Sequence, residues 1–324
     1  MTEAAHSLAL SEGTPTGPRL RRVPLATLAR LAALALLVGL ALSTPGFLSR
    51  VSLIALANAM SLVGCVALAM TFLTIGGNIM SLSLAATTSV AGMVFMAALG
   101  WGLPTAVVLA LVAGGVISGL QGAVIGWLRA NPIIVSLAAY ALLIGAAQLV
   151  AGPKVLPAGP DFQLLKGRWL DVPISFLVFV GLAIIGQLIV SFTRFGHELM
   201  FVGSNNRAAE AAGIHVGRVT VAAHVLAGAF AAIGGILVAS RFGSADMQTA
   251  RGFEYTAIAA VLIGGTSIAG GSGSLLQTLL GIAAIAVINA LALMQGFSME
   301  VQRLTVGCAV LVVIVLQGLG RMKR

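Results

Sequence analysis

Charge is what this chain has least of: 8% of its 324 residues are Asp, Glu, Lys or Arg, against 59% hydrophobic. A soluble chain of this length would need far more polar surface, so the bilayer is its expected solvent. Acids are scarcest, nine against 18 basic residues. No Gly-Lys pair occurs, which excludes a Walker A loop, whose Lys must reach the β/γ-phosphates. Neither HExxH nor GxSxG is present, and no loop gathers acids and histidines. Hydrolytic and metal catalysis therefore have no residues to work with, and neither a metal nor a cofactor is expected. The only cysteines, Cys65 and Cys308, sit in apolar stretches without CxxC spacing or a neighbouring His, and read as buried thiols. The net charge of +9 is scattered between apolar runs rather than gathered in a stripe with aromatics, which argues against a nucleic-acid partner.

What is present is a succession of long apolar runs. After a polar tail, residues 1–24, containing Arg19, Arg21 and Arg22, the stretch Leu25–Leu42 is long enough to span. A basic segment before an apolar run also fits a signal peptide cleaved near Ala41-Leu42-Ser43; the length of the run, with Arg30 able to snorkel, favours an uncleaved first helix. From Val51 to Leu128 there is no charge and no His, room for three spans broken at Gly76-Gly77-Asn78 and around Gly100–Pro104. Asn131-Pro132 opens a fifth helix ending near Gly152, and after the polar loop Pro153–Asp171 a sixth runs from about Val172 to Thr193. Beyond the loop 194–218 lie a seventh span, Val219–Ser240, the loop Arg241–Glu254, and two helices in the uncharged Tyr255–Met299, folded at Gly270-Gly271-Ser272-Gly273. A last span, Leu304–Gly320, precedes the basic tail 321–324.

The sum is an all-α, polytopic membrane protein of about ten transmembrane helices, with one transmembrane domain over 25–320. With both termini cytoplasmic, Arg19, Arg21, Arg22, Arg30, Arg129, Arg194, Arg207, Arg218, Arg321, Lys323 and Arg324 share the inner face, the larger part of the 18 basic residues. If the halves are repeats, a five-helix unit returns inverted; Gly77–Ser81 and Gly252–Thr256, each leading into an Ala-rich helix, hint at two such inverted repeats. The 40 glycines permit the close backbone approach by which membrane helices associate.

Two stretches resemble a known family. Gly252–Gly296, above all Ala259–Ser274 with Gly264-Gly265-Thr266-Ser267 and Gly270-Gly271-Ser272-Gly273-Ser274, resembles the ribose-type permeases of ABC importers, within the branched-chain amino acid/ribose permease family. Phe195–Val219 is similar to that family's cytoplasmic loop before the seventh helix. A looser match, Thr74–Ser83, departs from the family's order of glycine, isoleucine, aspartate, leucine and serine by carrying Asn78-Ile79-Met80, which bears on the solute rather than on membership. The resemblance covers about Leu25 to Gly320. It implies a permease of the cell inner membrane that is not itself an enzyme and works with an ABC ATPase subunit, a periplasmic solute-binding protein and a second permease subunit in a homodimer or heterodimer. A ribose-like monosaccharide or polyol is the implied solute, with nucleosides and branched-chain amino acids also carried in the wider family.

Within 194–218, Ser204 or Asn205 can cap a short helix holding Asn206, Arg207 and Glu210, which Gly213 can end. So short a helix must dock on something. The bilayer surface would serve; the resemblance implies a groove on the ATPase subunit, making Asn205, Asn206, Arg207, Glu210 and Gly213 the coupling residues. An uncharged hydroxylated solute needs amides and hydroxyls, and Asn58, Asn78 and Asn289, with Ser81, Thr266 and Ser267, are the candidates for its path. Each can instead bond a neighbouring helix or its own preceding turn. The rival class, an ion-coupled secondary transporter, generally keeps carboxylates at mid-membrane. Here Glu254 lies at an edge and His224 stands alone in its span. A channel would show a charged ring or a filter repeat, and neither is present.

Overall fold

A computed structural model describes residues 37, 39–78, 80–159, 163, 166–298, 300–302, 304–308 and 311. The tails 1–24 and 321–324, and most of the first and last expected spans, lie outside these residues. Ten α-helices are defined among them: α1 (Arg50–Ile75), α2 (Leu84–Ala98), α3 (Leu103–Leu128), α4 (Pro132–Ala151), α5 (Ile174–Phe192), α6 (Arg194–Ser204), α7 (Asn206–Ala211), α8 (Val216–Phe242), α9 (Phe253–Gly264) and α10 (Leu275–Met294). A 3-10 turn, Leu99–Trp101, extends α2, and a hairpin pairs β1 (Arg168–Trp169) with β2 (Val172–Pro173).

Seven of these helices are long and apolar enough to cross a membrane, and α9 is a shorter apolar helix. The protein is a polytopic, all-helical membrane protein. The helices begin where short polar side chains satisfy their first N–H groups: Ser49 accepts from Ser52, Asn131 from Ile133 beside Pro132, and Ser274 from Gln277. Exposed apolar residues such as Leu137, Leu142 and Leu149 on α4 face outward, the inverse of a soluble surface and the normal outer surface of a membrane bundle. Cys65 is buried, but Cys308, expected to be buried, is exposed. In a bilayer an apolar stretch need not be a core stretch.

The connections sort into two ends. At one, Val155 and Ala245 exchange two backbone hydrogen bonds of 2.8 and 3.0 Å, Ala158 N–H donates to Met96 O, and Arg50 pairs with Asp171 at 2.6 Å. At the other, Gly271 N–H donates to Ile75 O and Arg129 pairs with Glu210. All three tryptophans lie near these ends, Trp101 and Trp169 at the first and Trp127 at the second, each largely exposed, as an interfacial belt requires.

Packing centres on α1 and α8. The hairpin α2/α3 packs on α8, the hairpin α9/α10 packs on α1, and α5 lies against α1. Backbones meet where glycines face each other. A Cβ on Gly228 of α8 would stand 2.1 Å from Gly114 O of α3, and one on Gly281 of α10 would stand 1.9 Å from Ala260 O of α9. No side chain fits, and the contact surface is the backbone itself. Aromatic rings fill the centre, Phe72 meeting Phe230 edge-on at 5.1 Å, and a Thr71–Thr278 hydroxyl bond of 2.7 Å ties α1 to α10.

Candidate functional site

The loop 194–218 carries more order than one short helix. Thr193 caps α6 by accepting from Gly196 N–H, and Asn205 accepts from Arg207 and Ala208 N–H to start α7. At its far end Ile214 N–H donates to Ala209 O and Gly213 N–H to Glu210 O, both 3.0 Å, with Gly213 at φ +82°. This is a Schellman closure, which requires the left-handed residue that glycine supplies. Asn205 and Gly213 thus delimit α7 as expected. Arg207 lies on its exposed surface, whereas Glu210 turns back to Arg129 at 2.8 Å. Both partners of this pair are substantially exposed, so it orients α7 more than it stabilises it.

At the end of α6 the chain makes an interlock of glycines from three segments. A Cβ on Gly203, near the end of α6, would stand 1.9 Å from Ile75 O and 2.7 Å from Gly271 N. One on Gly270 would stand 2.6 Å from Gly77 Cα. The α6–α7 corner, the α1–α2 turn and the α9–α10 turn therefore touch backbone to backbone. α7 follows this corner after the single residue Asn205.

Around this interlock lie several of the expected path residues. Asn78 Nδ2 and Thr266 Oγ1 are buried without a hydrogen-bond partner among the described residues, and Ser267 N–H donates to Ser272 O across the α9–α10 turn. Ser81 bonds Ser83, which donates to Gln121 of α3. Asn58 stands apart: its amide donates to Ile54 O and accepts from Ser175 of α5, a helix-to-helix link. Asn289 lies elsewhere again, on a cavity of about 1160 Å³ that begins at the 248–252 loop of the other end. Tyr140 of α4, Arg251, and Glu254 and Tyr255 of α9 share that cavity. His224 is buried, its Nδ1 on Thr220 O, and packs against Gly122.

The sequence profile of the family described as "Branched-chain amino acid transport system / permease component" matches residues 52–315. The chain belongs to this permease family. Among its relatives, a probable ABC transporter permease protein of Escherichia coli K12 is 39% identical over 150 residues, 46% of this chain and 45% of the relative. The galactose/methyl galactoside import permease of Haemophilus influenzae is 34% identical over 193 residues, covering 56% and 57% of the two chains. The galactofuranose transporter permease of Escherichia coli K12 is 33% identical over 254 residues, covering 76% and 74%. The chain thus spans about half the length of the first two relatives and three quarters of the third. No solved structure matches it.

Membership gives the permease's interlock a context but assigns no residue. Sequence reasoning missed α6, Gly203, the Arg129 partner of Glu210, and the cavity residues Tyr140 and Arg251. A short amphipathic run, Phe195–Val202, was the available signal for α6; the others depend on contacts between distant segments.

Proposed function

We propose that this permease is the membrane-spanning subunit of an ATP-driven ABC importer that moves a monosaccharide, a ribose-like sugar or polyol, across the cell inner membrane. ATP hydrolysis belongs to a separate ATPase subunit that grips α7 through Asn205, Asn206, Arg207, Glu210 and Gly213. A periplasmic binding protein delivers the solute at the opposite end, and a second permease subunit, identical or homologous, completes the path. The chain has ten spans with both termini cytoplasmic, arranged as two inverted five-helix units within 25–320. The crossed packing of α2/α3 on α8 and of α9/α10 on α1 supports the two-unit reading. Two relatives named for galactose and galactofuranose support a sugar as cargo.

One observation carries this reading: a six-residue helix, too short to stand alone, is capped at both ends and joined through the single residue Asn205 to the end of α6, where Gly203 and Ser204 meet the turns of the transmembrane helices. We read it as a receiver for force. Its cap gives the test. Removing the Asn205 side chain by Asn205→Ala costs about 0.5–2 kcal/mol of helix stability, enough to unfold α7 in a large fraction of molecules. Uptake of labelled sugar and permease-stimulated ATPase activity in vesicles holding the whole importer should both fall several-fold, with Asn205→Asp retaining most of each. Wild-type values in Asn205→Ala would remove α7 from the coupling route.

A further inference from the structure

We infer that the cavity beside the 248–252 loop is a recognition site for a neutral, polyhydroxylated ring, with Asn289 and Tyr140 as its hydrogen-bonding groups. This rests on the permease reading and names the place and chemistry of solute contact within it. Three amide side chains of the bundle are already occupied, and the unpaired amide nitrogen of Asn78 lies outside this cavity. Asn58 bonds Ile54 and Ser175. Gln121 bonds Ser83 and Ile117. Gln187 donates to Ser191 and accepts from Leu275 and Leu276 N–H. Asn289 differs: its amide has no hydrogen-bond partner among the described residues, and it faces the cavity. The hydroxyls of Tyr140 and Tyr255, on the same cavity, are likewise without partners among those residues. Polar groups within a membrane bundle are costly to leave unpaired. Asn289 and Tyr140, neither of them exposed, converge on one space, with Tyr255 at its loop end.

That space has the dimensions of a route. Its volume of about 1160 Å³ slightly exceeds the roughly 300–1,000 Å³ of ordinary ligand pockets, leaving room for a sugar and its water. It reaches Val63 and Tyr140, both near the middle of their helices, roughly 12–20 Å from the helix ends at 1.5 Å per residue. Solute bound there would lie near mid-membrane.

The charged groups of the lining sit at its loop end. Arg251 donates to Gln248 Oε1 at 3.1 Å, and Glu254 Oε2 accepts Gly252 N–H at 3.0 Å. Asn289 and Tyr140 lie on α10 and α4, apart from that loop, and carry no charge. Their amide and phenol groups suit hydroxyls. The tyrosine rings add apolar faces for the C–H side of a pyranose.

The test uses the full chain, wild type and variants, in lipid nanodiscs, with D-galactose, D-ribose and L-leucine as separate probes in saturation-transfer NMR. The wild type should transfer saturation to at least one sugar and give no saturable signal with leucine. Asn289→Leu and Tyr140→Phe should each weaken sugar binding by roughly three- to tenfold, the size of one lost hydrogen bond. Tyr140→Phe removes a single oxygen and guards against misfolding in Asn289→Leu. Saturable leucine binding, no sugar signal in the wild type, or undiminished sugar binding in Tyr140→Phe would each overturn the inference. ATP-driven uptake by the whole importer separates the two levels. Sugar uptake with unaltered affinity in both variants rejects this site while the permease reading stands, whereas a wild-type importer that moves no sugar rejects that reading itself.

Discussion

Gly203→Val is expected to abolish ATP-driven uptake. The residue has no room for a side chain: a Cβ would stand 1.9 Å from Ile75 O and 2.7 Å from Gly271 N, and both neighbours are backbone that no rotamer change can move aside. Overpacking of this kind costs about 1–3 kcal/mol where neighbours can relax, and here the cost must be met by parting the interlocked turns. Gly203→Ala meets the same carbonyl with one methyl and should give an intermediate loss. Two readouts separate stability from coupling. The unfolding temperature of the purified protein should fall modestly, while the ATPase response to binding protein should disappear. Wild-type uptake in Gly203→Val would mean that the interlock transmits nothing.

Gly213→Pro combined with Glu210→Arg should give the second large effect, and through a different physical route. Gly213 holds φ +82°, whereas proline is fixed near −65° and has no N–H for the Glu210 carbonyl. Glu210→Arg then sets a cation against Arg129, its present ion-pair partner. Together they should dissolve the far end of α7 and swing what remains away from α3. Nothing lies within 4 Å of a Cβ built on Gly213, and the transmembrane helices do not include either residue. Membrane insertion and yield should therefore persist while ATPase stimulation and uptake collapse. Unchanged coupling in this double variant would leave α7 as a surface connector.

How far the fold was legible depended on the range of the interaction that sets each feature. The helix limits are local: Asn131-Pro132 starts α4, and uninterrupted apolar sequence from Val51 to Leu128 resolves into α1, α2 and α3 as its glycine and proline breaks suggest. The caps of α7 are local too, and Asn205 and Gly213 behave as their residue types dictate. By contrast, α6 lies in a stretch short enough for its periodicity to pass as a polar loop. Glycine abundance announced close packing without saying which glycines meet, since Gly114 and Gly228 belong to helices far apart in the chain.

The candidate path divides in the same way. Residue type made Asn58 and Asn289 equivalent in the sequence, and only the neighbours distinguish them: Ser175 occupies Asn58, while Asn289 opens on the cavity. Glu210 likewise found a partner, Arg129, that no nearby spacing could nominate.

All these readings require that the chain have no energy source of its own and that work reach it through α7. Sealed vesicles containing only this permease, given a proton or sodium gradient and labelled D-galactose or D-ribose, decide the matter. The account predicts no accumulation under either gradient, and accumulation only when ATP, the ATPase subunit and the binding protein are supplied together. Concentration of sugar by the permease alone, driven by an ion gradient, would contradict it.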